Sequence, residues 1–128
     1  MRLLLDTHSF LWFIQGNKNL SPRAIALIED PENQKLISTA SLWEIAIKVS
    51  IGKLEIEMSM TDLVKEQVIG NTFDVLSIAP EHLNVLTALP FHHKDPFDRL
   101  IISQSMAESI PVISRDKVFK EYPAQQIW

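Results

Sequence analysis

Arg2-Leu3-Leu4-Leu5-Asp6-Thr7-His8 is the stretch on which the fold turns. Three consecutive leucines closed by a charged residue fit a short strand buried on both faces, as in a parallel sheet. Phe10, Leu11, Phe13 and Ile14 follow at helical spacing, so the strand passes directly into a helix. The alternation continues outward. Ser21-Pro22 is an N-cap and first-turn proline opening a helix toward Glu29. Lys35 to Ser38 reads as a second strand, and Ser41 to Ile51 as a strongly apolar helix ending before Gly52. Thr61 or Asp62 starts a helix ending near Gly70. Phe73 to Ile78 is a strand whose Val75, Leu76 and Ile78 suit burial. Pro80 to Leu89 is helical, and Asp95-Pro96 opens a helix running to about Ser109. Pro111 to Arg115 is a strand, followed by a helical turn near Phe119 and a last strand at Gln126 to Trp128. Strands separated by helices of this length form a parallel sheet with helices on both faces.

At 128 residues, with 46% hydrophobic and 22% charged positions, the chain is expected to form one domain over residues 1–128 with a real core. The absence of cysteine removes disulfides and thiolate zinc sites, leaving metals that accept carboxylate, imidazole and water. The apolar N-terminus is short and interrupted by Asp6 and His8. It lacks the features of a secretory signal, and nothing else approaches membrane-spanning length, so a cytoplasmic location without membrane contact is expected. The net charge of −4, from 16 acids and 12 bases, argues against a broad basic nucleic-acid surface. If four carboxylates form one site, however, the remainder balances and the acidity is local.

In parallel sheets, sites collect at the carboxyl ends of the strands. Asp6 ends the first strand and Asp116 follows the strand at Pro111 to Arg115. Glu44 is expected in the first turn of the helix after the second strand, and Asp98 in the first turn of the helix opened by Pro96. Each acid also has a plain structural reading. Asp6, Asp95 and Asp116 fit helix N-caps, and Asp98 is a first-turn acid favoured by the helix dipole. Ser41 and Glu44 match a capping box, with Glu44 and Lys48 an i, i+4 pair. The convergence of Asp6, Glu44, Asp98 and Asp116 is what caps do not require. Two carboxylates about 5 Å apart repel by about 3 kcal/mol at an effective dielectric near 20. A hard cation such as Mg²⁺ or Mn²⁺ relieves that repulsion, and can activate water and stabilise charge on a phosphodiester. His8 and His82 read as structural or surface groups. His92 and His93 lie beside the proposed site, with a surface-loop reading favoured.

The ordered stretches Leu4-Leu-Asp6-Thr-His8, Ser38-Thr-Ala-Ser-Leu-Trp-Glu-Ile-Ala-Ile-Lys48, His92-His-Lys-Asp-Pro-Phe-Asp-Arg-Leu-Ile-Ile102 and Ser114-Arg-Asp116 resemble those of PIN-domain ribonucleases, most closely the VapC-type toxins of toxin–antitoxin pairs. The ending Gln126-Ile-Trp128 also looks like one branch of that family. The resemblance implies a three-layer α/β/α sandwich and Mg²⁺- or Mn²⁺-dependent cleavage of RNA, leaving 5′-phosphate and 3′-hydroxyl ends. It carries the family's four acids onto Asp6, Glu44, Asp98 and Asp116, with Asp95 secondary. It further implies a cognate antitoxin, homodimerisation, and DNA contact only through the antitoxin. Thr7 and Ser114 are candidates to hydrogen-bond the site acids. Arg99, Lys94 and Arg115 are candidates for substrate phosphates, or equally for ion pairs with the acids.

Two other readings compete. A haloacid-dehalogenase-like phosphatase also begins from an Asp after its first strand, but its chemistry wants a second Asp two positions later, where this chain has His8. A catalytically silent PIN-like interaction domain would use the apolar surroundings of Trp12, Trp43, Met58 and Met60 as a partner groove. Such residues are more often core.

Overall fold

The computed structural model describes residues 1–128. Five strands, β1 (Arg2–Leu5), β2 (Gln34–Ser38), β3 (Phe73–Leu76), β4 (Val112–Ile113) and β5 (Gln126–Ile127), form one sheet in the order β3-β2-β1-β4-β5. Every pairing is parallel. The helices are α1 (Thr7–Gln15), α2 (Pro22–Glu29), α3 (Thr39–Ser50), α4 (Met60–Asp62), α5 (Pro80–Ala88) and α6 (Pro96–Glu108). A π-helical stretch, Leu63–Ile69, continues α4, and a 3-10 turn spans Lys117–Glu121. No helix is long and apolar enough to cross a membrane.

The pleat of β1 sorts its leucines between two cores. Leu3 and Leu5 point into one, with Phe10, Ile28, Ile37, Ile45 and Leu63. Leu4 points into the other, with Leu36, Ile101, Ile102, Val112 and Phe119. All three leucines have no exposed surface, so β1 is covered on both faces and the architecture is a three-layer α/β/α sandwich. Burying such a side chain contributes roughly 1.5–3 kcal/mol. On the α5–α6 side, buried His82 accepts the Ala79 N–H at Nδ1 (3.0 Å) and faces Glu108 from Nε2 (3.0 Å), tying the start of α5 to the end of α6. That hydrogen bond is the main cause holding the Glu108 carboxyl below its ordinary range.

Three expectations need correction. β3 stops at Leu76, and Val75 and Ile78 are each 40% exposed rather than buried. β3 is an edge strand, so only its β2 side is paired. Trp43 is 60% exposed, not core, because α3 turns it away from the sheet while Ala40, Ser41, Glu44 and Ile45 face inward. Finally, α3 starts at Thr39, earlier than the Ser41 pattern suggests. The Ser38 side chain accepts the Ala40 N–H at 3.0 Å, so the helix is capped by the last residue of β2.

The chain builds β1, β2 and β3 to one side, then returns to add β4 and β5 on the other. The direction reverses between β1 and β4, opening a crevice beyond their carboxyl ends. Leu4→Ala is expected to cost about 2–5 kcal/mol in urea unfolding, whereas Val75→Ala at the exposed edge should cost under about 1 kcal/mol.

Candidate active site

Asp6 enters this crevice from the end of β1, where its N–H donates to the Ile113 carbonyl of β4 (3.1 Å). The side chain is only 4% exposed and caps α1, Oδ1 accepting the Ser9 N–H at 2.8 Å. Burial raises its pKa, and hydrogen bonds from Ser114 and Ser9 pull it partly back. The Ser114 hydroxyl oxygen accepts the Asp116 N–H (3.1 Å) from its buried position after β4.

Glu44 lies in the second turn of α3 rather than the first, a consequence of the earlier cap at Ser38. It forms no capping box. Its carboxylate is buried, Oε1 accepting the Thr7 hydroxyl at 2.7 Å and Oε2 pairing with Lys48 Nζ at 2.8 Å. Thr7 Oγ1 also lies 2.9 Å from Ser41 Oγ. With the Thr7 proton directed to Glu44, Ser41 donates to Thr7, and a buried relay from α3 through α1 fixes the carboxylate. Ser41 is legible in the sequence only as a helix-start residue; its place in this relay depends on where α1 lands.

Asp95 caps α6, its Oδ1 accepting the N–H groups of Phe97 (2.9 Å) and Asp98 (3.0 Å). Asp98 in the first turn of α6 has its pKa raised to about 8, by burial first and then by the charges of Asp95, Asp6, Glu44 and Asp116. The other candidate acids are thus near enough to Asp98 for their charges to add to the effect of burial. Asp116 caps the 3-10 turn through the Val118 N–H (3.0 Å) and is exposed. Its turn is clamped by Gln126, whose amide donates to the carbonyls of Ser114 (2.8 Å) and Asp116 (2.7 Å). No local pattern marks Gln126, because its partners lie in the loop after β4.

A cleft of about 360 Å³ is lined by Asp6, His8, Trp12, Arg115 and Asp116. His8 is therefore a wall of the site, not only a surface group, presented there by α1 two residues beyond Asp6. Arg115 sits with its guanidinium 5.2 Å from the Trp12 ring centre, at the cleft wall. Lys94 lies elsewhere, beside Phe91 and Arg99 in a depression that no site acid lines. Arg99 meets neither expectation for it. It is 5% exposed, donates to the carbonyls of Pro90 (2.8 Å) and Leu89 (3.1 Å), and stacks under Phe91 at 3.8 Å. The guanidinium holds the loop before α6 in place of a phosphate or a site acid.

The donor set is entirely oxygen, it is negative, and two of its members are buried. That chemistry fits a hard divalent cation. No three His, Asp or Glu side chains are already gathered into a ligand cage, so the fit rests on charge and donor type.

A family model for the PIN domain matches residues 3–125. Among solved structures, the chain is similar to VapBC2 from Rickettsia felis bound to a DNA fragment from its promoter, with TM-score 0.74, 18% identity and coverage of 100% of this chain and 99% of that chain. It is similar to FitAcB from Neisseria gonorrhoeae, with TM-score 0.68, 14% identity and coverage of 98% and 96%. A toxin–antitoxin complex from Klebsiella pneumoniae gives TM-score 0.65, 18% identity and coverage of 98% and 96%. At such identities the likeness is one of fold. No curated protein matches this sequence.

The shift at Asp98 predicts a pH dependence of stability. Its folded pKa of about 8 lies above the ordinary 3.8, so folding favours the protonated form. The stabilisation is complete below the unfolded pKa and is lost as pH rises through the folded one. Without divalent cations, urea melts should show stability falling between about pH 4 and about pH 8, by at most about 1.4 kcal/mol per pH unit for this group. Asp98→Asn should make the slope shallower.

Proposed function

The chain belongs to the PIN domain family, whose members are generally nucleases, and from that premise we propose that it is a metal-dependent endoribonuclease acting as the toxin of a toxin–antitoxin pair. The observation that carries the proposal is the cleft that Asp6, from the end of β1, and Asp116, from beyond β4, line together. The reading is supported by the charges of Asp6, Glu44, Asp95 and Asp116 that add to burial in raising the Asp98 pKa. Asp6, Glu44, Asp98 and Asp116 would hold Mg²⁺ or Mn²⁺, with Asp95 as the capping acid behind Asp98. A cation bound there supplies an activated water and neutralises charge on the scissile phosphodiester.

The chain's own residues have separate tasks. Thr7 and Ser41 fix Glu44, Ser114 holds Asp6, and Gln126 steadies the turn bearing Asp116. Lys48 neutralises part of the acidic charge while its partner Glu44 stays buried. Arg115 and His8, on the cleft wall, are suited to phosphate oxygens flanking the cut, and Trp12 to a base or sugar. In-line attack by water would leave 5′-phosphate and 3′-hydroxyl ends.

The antitoxin part of the proposal is supported by the likeness in fold to the toxin–antitoxin complex from Klebsiella pneumoniae. A second groove, of about 280 Å³ and lined in part by Leu11, Ile14, Ile56, Met58 and Leu63, offers apolar surface suited to such a partner. Homodimerisation, and DNA contact only through the antitoxin, belong to the same proposal.

Asp6→Asn is expected to abolish Mg²⁺-dependent RNA cleavage while leaving the circular dichroism spectrum unchanged. Undiminished cleavage by rigorously purified Asp6→Asn protein would remove Asp6 from the chemistry. Mn²⁺ should raise the melting temperature of the wild type more than that of Asp98→Asn, because binding to the folded state stabilises it. Equal shifts would remove Asp98 from the cation site.

A further inference from the structure

We infer that His93 is a positioning residue whose tautomer is set by Tyr122 and whose remaining N–H orients Asp98 for cation binding. The inference begins at the Tyr122 hydroxyl, on a ring only 4% exposed in the α5–α6 core. Three groups direct N–H donors at its oxygen: the His92 amide (3.1 Å), the His93 amide (3.2 Å) and Arg99 Nη1 (3.4 Å). None of them can accept a proton in return. The phenolic proton therefore goes to the remaining neighbour, His93 Nδ1, at 3.1 Å. Nδ1 is then the acceptor, which puts the ring proton on Nε2.

Nε2 is buried and has no hydrogen-bond partner. Its nearest carboxylate is that of Asp98, with Oδ2 at 3.7 Å, just beyond hydrogen-bonding distance. Buried donors without acceptors are uncommon in folded proteins, and one halted beside a site acid calls for a reason. A small rotation of Asp98 completes the bond to Oδ2 and leaves Oδ1 free for a cation. Groups that hydrogen-bond a ligating carboxylate fix its orientation, and their loss typically weakens metal binding by about 10- to 100-fold.

His93 reaches this point because the Asp95 cap turns the chain into α6, while Arg99 holds the preceding carbonyls of Leu89 and Pro90. The loop His92-His93-Lys94 is thus braced at both ends, and the histidine has a mechanical support its sequence neighbourhood does not reveal. Its role in cleavage rests on the nuclease proposal; its role at Asp98 rests on geometry and on cation binding.

Two measurements test it. Long-range ¹H–¹⁵N correlation spectra of the wild type, free of metal, should show His93 as the Nε2–H tautomer, and an Nδ1–H tautomer would overturn the inference. Mn²⁺ titration followed by electron paramagnetic resonance should show about 10- to 100-fold weaker binding in His93→Leu. His93→Gln, which keeps an N–H donor, should recover a large part of the affinity. In the Asp98→Asn background, His93→Leu should have no further effect. RNA cleavage by His93→Leu should need more Mn²⁺ but recover at saturation.

Wild-type affinity in a folded His93→Leu protein would overturn the proposal, as would absence of Mn²⁺ binding by the wild type. If His93→Leu does not fold, His93→Gln and the tautomer measurement decide alone. Wild-type protein that binds Mn²⁺ in a His93-dependent way yet cuts no RNA would sink the nuclease reading and leave this one standing.

Discussion

Asp6 is a carboxylate at the end of a strand whose three preceding residues have no exposed surface, and the desolvation of that charge governs what surrounds it. An isolated carboxylate in such a position is costly unless donors or a cation face it. Here the first turn of α1 supplies a backbone N–H to the carboxylate. β4 holds the Asp6 backbone through the Ile113 carbonyl, and the Ser114 side chain beyond β4 lowers the carboxyl's pKa. The helix must therefore begin immediately after β1, and β4 must lie directly beside it. Both conditions are met by the strand order, and together they open the crevice where the other acids arrive.

Capping and site formation are not alternatives in this molecule. Asp6, Asp95 and Asp116 each cap a helical element through Oδ1. In each, the second oxygen is not taken up by the cap. The cap fixes the side-chain rotamer and the helix N-terminus offsets part of the negative charge, so a capping acid is well prepared to face a cation. Glu44 follows a different rule. It sits within a helix, where backbone donors are already used, and both of its oxygens depend on side chains, Thr7 and Lys48. Asp98 accepts no hydrogen bond from a cap N–H or a side chain, and burial first, then the charges of the neighbouring acids, raise its pKa.

The polar framework beneath the site joins segments far apart in the chain. Tyr122 gathers the amides of His92 and His93 and the guanidinium of Arg99. Gln126 clamps the Asp116 turn from the last strand. These residues bring rigidity rather than chemistry, and they explain how loops carrying acids of like charge are held in place. Arg99 is instructive: a cation next to Asp98 in sequence is drawn away from it, because two orphaned carbonyls and an aromatic face satisfy a planar guanidinium inside the protein better than one partly exposed carboxylate.

By itself the sequence determined the alternation of strands and helices, the burial of Leu3 to Leu5, the caps at Asp6, Ser21, Asp95 and Asp116, and the short roster of acids. These depend on periodicity and on side-chain bonds within three residues, which are local. Only the tertiary structure decided that β3 is an edge with Val75 exposed, that Ser38 caps α3 and shifts Glu44 to its second turn, and that Arg99 turns inward. It alone set Ser41, Gln126 and Tyr122 around the acids and brought the His93 ring between Tyr122 and Asp98. Those outcomes depend on which strand lies beside which, and on competition among donors and acceptors distant in the chain. Residue spacing carries no record of either.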